Sequence, residues 1–332
     1  MDVAATVAGR SFESSRNRHA QRGPAYGCTS SAPLERSTRR KFEVMNPHDE
    51  LSEFLTTRRA KLSLDQVDLP DFGGRRRVPG LRREEVALLA GMSAEYYKRL
   101  ERGTAAGVSE SVIDGVSRAL KLDEAEHAHL YDLVRAANAG ERSQRTRTTR
   151  KTQVSSSTQQ TIDAMSTVPV FVQNGRLDAV ATNQLGHALF SPMFEGAREP
   201  INAARFTFLE QSAQTFYRDW EANARQIVAI LRAEAGRSPH DRHLTSLVGE
   251  LSTQSDVFRT LWAAHDVREH RTGIKSVTHP IVGELDLTFQ AMDLSSDRGL
   301  TMIVFSAAPG SSSYDGLQLL ANWAATSVSS SA

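Results

Sequence analysis

The chain has 332 residues, 39% hydrophobic and 24% charged, with a formal net charge of +1, which is room and composition for two ordinary globular cores. No apolar run nears the ~18 residues needed to cross a bilayer. The first residues lack the apolar stretch of a secretory signal, and the single cysteine, Cys28, excludes an intramolecular disulfide and a cysteine-built metal site, so a reducing cytoplasm is the expected setting.

Residues 1–44 are rich in Ser, Arg and Gly without a sustained apolar period and read as a disordered tail, or as an extension ahead of a natural start at Met45. Leu51, Phe54, Leu55 and Leu62, with the stem of Arg58, form a helical stripe, so a first helix is expected over 51–64. Pro70, Gly73, Gly74 and Pro79 then force a loop, which carries Arg75, Arg76 and Arg77 as candidate phosphate contacts. Two short helices follow, over 82–90 and 94–102, joined at Gly91. Ser109 is placed to cap a fourth helix, and Asp123 a fifth, with Glu126 completing a capping box. These five helices make one all-α domain over 45–140.

A basic linker is expected over 141–160, with Arg142, Arg145, Arg147, Arg150 and Lys151, and a second domain over 161–328. Asn174-Gly175 predicts a type I′ hairpin between strands at 170–173 and 176–182, followed by a short helix capped by Asn183 or Thr182. Phe216, Trp220, Ala224, Ile227 and Leu231 mark one long helix ending at Gly236, and Ser238-Pro239 reads as the start of the next. Leu285, Leu287, Phe289 and Ala291 alternate with polar residues as in a strand with one wet face. The apolar run 300–306 reads as a central strand after a turn at Asp297-Arg298-Gly299, and Leu317, Leu319, Leu320 and Trp323 as a closing helix. Helices between two groups of strands imply an α+β domain with an antiparallel sheet. The balance of charge is +6 over residues 1–157 and −5 over 158–332, so a polyanion is expected to meet the front half only.

The pair of helices around Gly91 meets the demands of a helix-turn-helix. Counting from Arg83, the fifth position is small (Ala87), the ninth turns with positive φ (Gly91), and the apolar positions fall on Val86, Ala90, Met92, Tyr97 and Leu100. Ser93 is then the N-cap of the second helix. Ala94, Glu95, Lys98, Arg99 and Arg102 remain to face a major groove, where Glu95 suits cytosine N4 and Lys98 or Arg99 suits guanine. Arg82 and Arg83 are placed for phosphates, and Glu101 for a structural pairing with an arginine.

The run G-L-R-R-E-E-V-A-L-L-A-G-M-S with Y-Y-K-R-L-E-R-G resembles the MmyB-like family of helix-turn-helix regulators of the XRE type. Later phrases, F-V-Q-N-G-R-L-D, N-A-A-R-F-T-F-L, L-R-A-E-A-G-R-S-P-H-D, L-W-A-A-H-D-V and H-P-I-V-G-E-L, extend the resemblance over about 50–326. It implies a dimeric transcription factor on double-stranded DNA, away from membranes, whose PAS-like second domain takes a small apolar ligand such as a fatty acid. Arg205, among apolar neighbours, is the first candidate anchor for a carboxylate, ahead of Asn202 and His270, with Asp219 or Glu210 as structural partners for Arg205 instead. The competing reading is a second domain that only dimerises or recruits a protein. His265-Asp266 and the His240/His243 pair carry too few partners for a metal site, and no phosphate-cradling glycine loop or G-x-S-x-G is present, so neither a cofactor nor an enzyme is expected.

Overall fold

The computed structural model describes residues 46–67, 80–138, 153–266 and 271–329; Arg75–Arg77, the basic residues of 142–151, the tail and His270 lie outside the described residues. Helix α1 (Pro47–Lys61) starts earlier than its apolar stripe does, because Asn46 accepts from the His48 N–H at 3.1 Å and Pro47 occupies the first turn. It also ends earlier: Leu62 lies beyond it, and Ser63 opens a 3-10 turn at Leu64–Gln66. Then come α2 (Arg83–Leu89), α3 (Ala94–Glu101), α4 (Glu110–Ala119) and α5 (Glu124–Asn138). The Asp123–Glu126 box forms as expected, each backbone N–H donating to the other's carboxylate at 3.1 and 2.8 Å. Ser109 is the N-cap residue of α4, but its hydroxyl bonds the Ser111 hydroxyl rather than a backbone N–H of the helix. Leu51, Phe54, Leu55, Val86, Tyr97, Leu100, Val116, Leu130 and Leu133 form this domain's core, at about 1.5–3 kcal/mol for each large side chain buried.

Helix α6 (Ser156–Ala164) starts inside the stretch read as linker and runs past its expected end at 160. Asp297, fully buried, holds it by accepting from the Ser155 and Thr158 hydroxyls at 2.9 and 2.6 Å. Strands β1 (Val170–Asn174) and β2 (Ala179–Thr182) are joined by a longer loop than the two-residue turn expected. The positive φ falls on Leu177 (67°), not on Asn174 or Gly175, and Asn174 Oδ1 instead accepts from the Arg176 and Asp178 N–H groups. Asn183 caps α7 (Gln184–Leu189) through the Gly186 N–H at 2.7 Å. Helices α8 (Ser191–Phe194), α9 (Ala203–Leu209), α10 (Ser212–Phe216), α11 (Trp220–Arg237), α12 (Arg242–Gln254) and α13 (Asp256–Ala263) follow. Phe216 thus belongs to its own short helix, and α12 is capped by Asp241, which accepts from His243 and Leu244; Ser238 closes α11 instead of starting α12.

Strands β3 (Thr272–His279), β4 (Gly283–Asp293) and β5 (Leu300–Ser306) and helix α14 (Ser312–Ser329) complete the domain. The sheet is antiparallel throughout, in the order β2-β1-β5-β4-β3, with the apolar run at its centre as expected. Leu285, Leu287, Phe289 and Phe305 face the large core under α7 and α9–α13, while Val170, Val172, Leu300 and Met302 face Ile162 of α6. On α14, Leu317 and Leu320 are buried but Leu319 and Trp323 are exposed, so the closing helix uses a narrower apolar stripe than its sequence offers. The architecture is therefore a helical helix-turn-helix region followed by an α+β domain.

Candidate nucleic-acid interface and ligand cavity

Gly91 turns between α2 and α3 with φ +68°, and no atom stands within 4 Å of where a Cβ would be, so backbone conformation alone is the reason for glycine here. Val86, Ala87, Tyr97 and Leu100 are buried; Ala90 and Met92 pack at the margin. Ser93 caps α3 by accepting from the Tyr96 N–H at 3.2 Å. With that face fixed, Ala94, Glu95, Arg99 and Arg102 are exposed, and Lys98 is half-buried and paired with Glu95 at 3.3 Å. Arg82 supplies the N-cap residue of α2, its N–H donating to Glu85 at 2.6 Å, while Arg83 is exposed and reaches Glu101 at 3.2 Å.

Glu101 is the keystone behind this surface. It is buried at 2% exposure and accepts from Arg59 Nε at 3.0 Å and Nη2 at 2.8 Å, and from Thr56 and Arg83. Burial pushes its carboxyl up, but the bonds and charge of Arg59, then Arg83, outweigh burial and hold it below the usual range. One carboxylate thereby ties α1, the start of α2 and the end of α3.

Inside the second domain a narrow slot of about 70 Å³ is walled by Phe171, Phe190, Tyr217, Phe289 and Phe305. It shares Gln173, Gln226, Ile230, Phe289 and Ile303 with a wider cavity of about 560 Å³. The slot also receives Lys275 of β3, a residue the sequence reading passed over. Its ammonium donates to Asn223 Oδ1 at 2.7 Å and Gln226 Oε1 at 2.8 Å, and stands 5.6 Å from the ring centres of both Tyr217 and Phe289. The residue as a whole is half-buried, yet protein crowds the ammonium, and this loss of water pulls its pKa down to about 8. Its parity was a usable signal: Gly273, Lys275, Val277 and His279 alternate on one face of β3, and Val277 and His279 are buried.

The expected anchors lie elsewhere. Arg205 does not line the slot; its guanidinium is engaged by Glu250 in a two-oxygen pairing at 2.9–3.2 Å, not by Asp219 or Glu210, at the edge of a separate surface depression. Asn202 is buried and its amide serves the fold, capping α9 and donating to the Arg176 carbonyl and Asp178. His270 is outside the described residues. His240 precedes α12 rather than sharing a helical face with His243, and among the described residues no group of three or more His, Cys, Asp and Glu is arranged for a metal. No described helix is long and apolar enough to cross a membrane.

Helix α11 joins the two regions. Gln226, Ile227 and Ile230 line the slot, while Ala233 packs against the core of α1–α5 and Gly236 meets His129 of α5. Arg232, 1% exposed, pairs with Glu50 of α1 at 2.6 Å and lies 3.8 Å over the Trp262 ring. His265 is part of the same contact, with Nε2 2.9 Å from Glu53 and its carbonyl accepting from Arg58, which also pairs with Glu126 at 2.8 Å. His265 thus serves the boundary between the two regions.

The description of a helix-turn-helix domain matches residues 50–130, and that of the MmyB-like transcription regulator ligand binding domain matches residues 154–320. No curated protein is similar enough to the chain to count as a match. With a DNA-binding head in front and this ligand-binding domain over half its length behind, the chain belongs to the MmyB-like transcription regulators.

Proposed function

We propose that this regulator works in the cytoplasm as a homodimer that reads a specific DNA sequence and changes its hold on that DNA when a small apolar molecule, a fatty acid as first candidate, occupies the slot of the second domain. The observation that carries this reading is α11, which lines the slot with Ile227 and Ile230 and packs on the DNA-binding helices with Arg232, Ala233 and Gly236. Any occupant that moves α11 acts on α1 and α5 directly, provided that it binds the two arrangements unequally. On the DNA side, Ala94, Glu95, Lys98, Arg99 and Arg102 are the base-reading set, and Arg82, Arg83 and the start of α3 at Ser93 meet phosphates. Two copies are required because one short helix reads too few base pairs for useful selectivity.

The test is fluorescence anisotropy on operator fragments selected from random duplexes at fixed salt. Replacing Lys98 and Arg99 together by Ala is expected to lower specific binding by roughly tenfold or more and to leave much of the nonspecific binding. Unchanged selectivity would remove these two side chains from the reading set. The protein mass on its operator, measured in the same samples, separates one copy from two.

A further inference from the structure

We propose that Lys275 is the anchor of the ligand, its ammonium meeting the carboxylate of an acid whose apolar body lies along the slot. The inference rests on the reading that this cavity takes a ligand, and it adds the side chain that meets the head group.

The argument begins with an imbalance. Lys275 is held by two neutral amides, Asn223 and Gln226, which accept from its ammonium without neutralising it. Among the described residues no ion pair links it to a carboxylate. The acidic side chains of the wider cavity are occupied: Glu234 pairs with Arg237 at 3.3 Å, and Asp293 with Arg271 at 3.7 Å and the Thr301 hydroxyl at 3.0 Å. An ammonium enclosed by protein is costly unless a negative charge accompanies it. Burial already pulls its pKa to about 8, yet it stays mostly charged at neutral pH.

The surroundings say what carries the missing charge. Beside the ammonium stand the Tyr217 and Phe289 rings, and apart from Gln173, Asn223 and Gln226 the rest of the slot is apolar, with Phe171, Phe190, Met193, Ile227 and Phe305 suited to an apolar body. The slot adjoins the wider cavity along Gln173, Gln226, Ile230, Phe289 and Ile303, and the three apolar side chains of that border give a tail a way outward. A carboxylate on an aliphatic or aromatic body meets both demands. A neutral apolar molecule would leave the ammonium uncompensated, and a cation would add to its repulsion.

Calorimetric titration of the full chain with decanoate, 1-decanol and decylammonium at pH 7 tests this. The wild type is expected to bind decanoate roughly tenfold more tightly than 1-decanol and decylammonium least. Lys275→Met and Lys275→Gln should abolish the preference for decanoate while keeping affinity for 1-decanol, with thermal unfolding as the check that both variants fold. Equal affinity of the wild type for decanoate and 1-decanol, or a preference that survives both substitutions, overturns the anchor and leaves an apolar cavity standing. Binding of none of the three overturns the ligand reading and the anchor with it.

Discussion

Glu101 and Lys275 show how differently two buried charges can be treated by the same fold. Glu101 has two arginines, so removing it strands Arg59 among α1 and α3. Glu101→Ala is expected to destabilise the protein by about 3–5 kcal/mol, the usual cost of breaking a buried pair, read as a lowered denaturation midpoint. Glu101 was legible from the sequence as a paired residue because the positions around it had fixed duties in the helix-turn-helix. Lys275 was not, since its partners Asn223 and Gln226 come from a helix about fifty residues earlier in the chain. A lone lysine in a strand reads as solvated until the strand's inward face is known. Arg205 misled for the complementary reason: apolar neighbours in sequence say nothing about a Glu250 brought in by another helix.

At the scale of elements, α11 is the piece whose duty was least visible. Its apolar stripe announced a helix, but not that one side of its last two turns, with Arg232, Ala233 and Gly236, packs on the DNA-binding helices. Gly236 makes that close approach feasible. A Cβ there would stand 2.7 Å from His129 Cε1, closer than packing allows, and the ring is in a T-shaped contact with Phe54 at 5.1 Å. Gly236→Ala is expected to cost about 1–3 kcal/mol through this overlap, and Gly236→Ala with His129→Ala to recover part of it. Scanning calorimetry of the two variants measures both effects; equal stability of Gly236→Ala and wild type would mean that the helices separate freely. By contrast, the Asp123 box, the Asn183 cap and the alternation in β4 were readable, because each depends on residues a few positions apart. Where the β1–β2 loop departed from its expected turn, the Asn174 side chain had taken over hydrogen bonds that the short turn leaves to the backbone.

For the whole molecule, acid should loosen the same joints that hold the DNA-binding helices to the ligand-binding domain. His129 is fully enclosed, and loss of water, then the charge of Arg232, drops its pKa to about 3. Its folded value lies below the unfolded one, so the unfolded chain takes up the proton first. Stability is therefore lost as pH falls from the ordinary histidine range towards 3. Glu101, also depressed, adds a loss that begins only below its usual value near 4.5. Unfolding followed from pH 7 to pH 4 should show a steady decline that His129→Leu flattens at its upper end; an unchanged slope in that variant would assign the decline to other groups.

The pairing of Arg232 with Glu50, under Trp262, also bears on what can be exchanged between relatives. Grafting α1–α5 onto a foreign ligand-binding domain leaves Glu50, Glu53 and Arg58 without Arg232 and His265, and bares the flank of His129 that Gly236 covers. A working chimera must therefore be cut upstream of α1, or carry the rear turns of α11 and the end of α13 along with the DNA-reading head. The exchangeable unit of this protein is larger than the module boundary drawn at its linker.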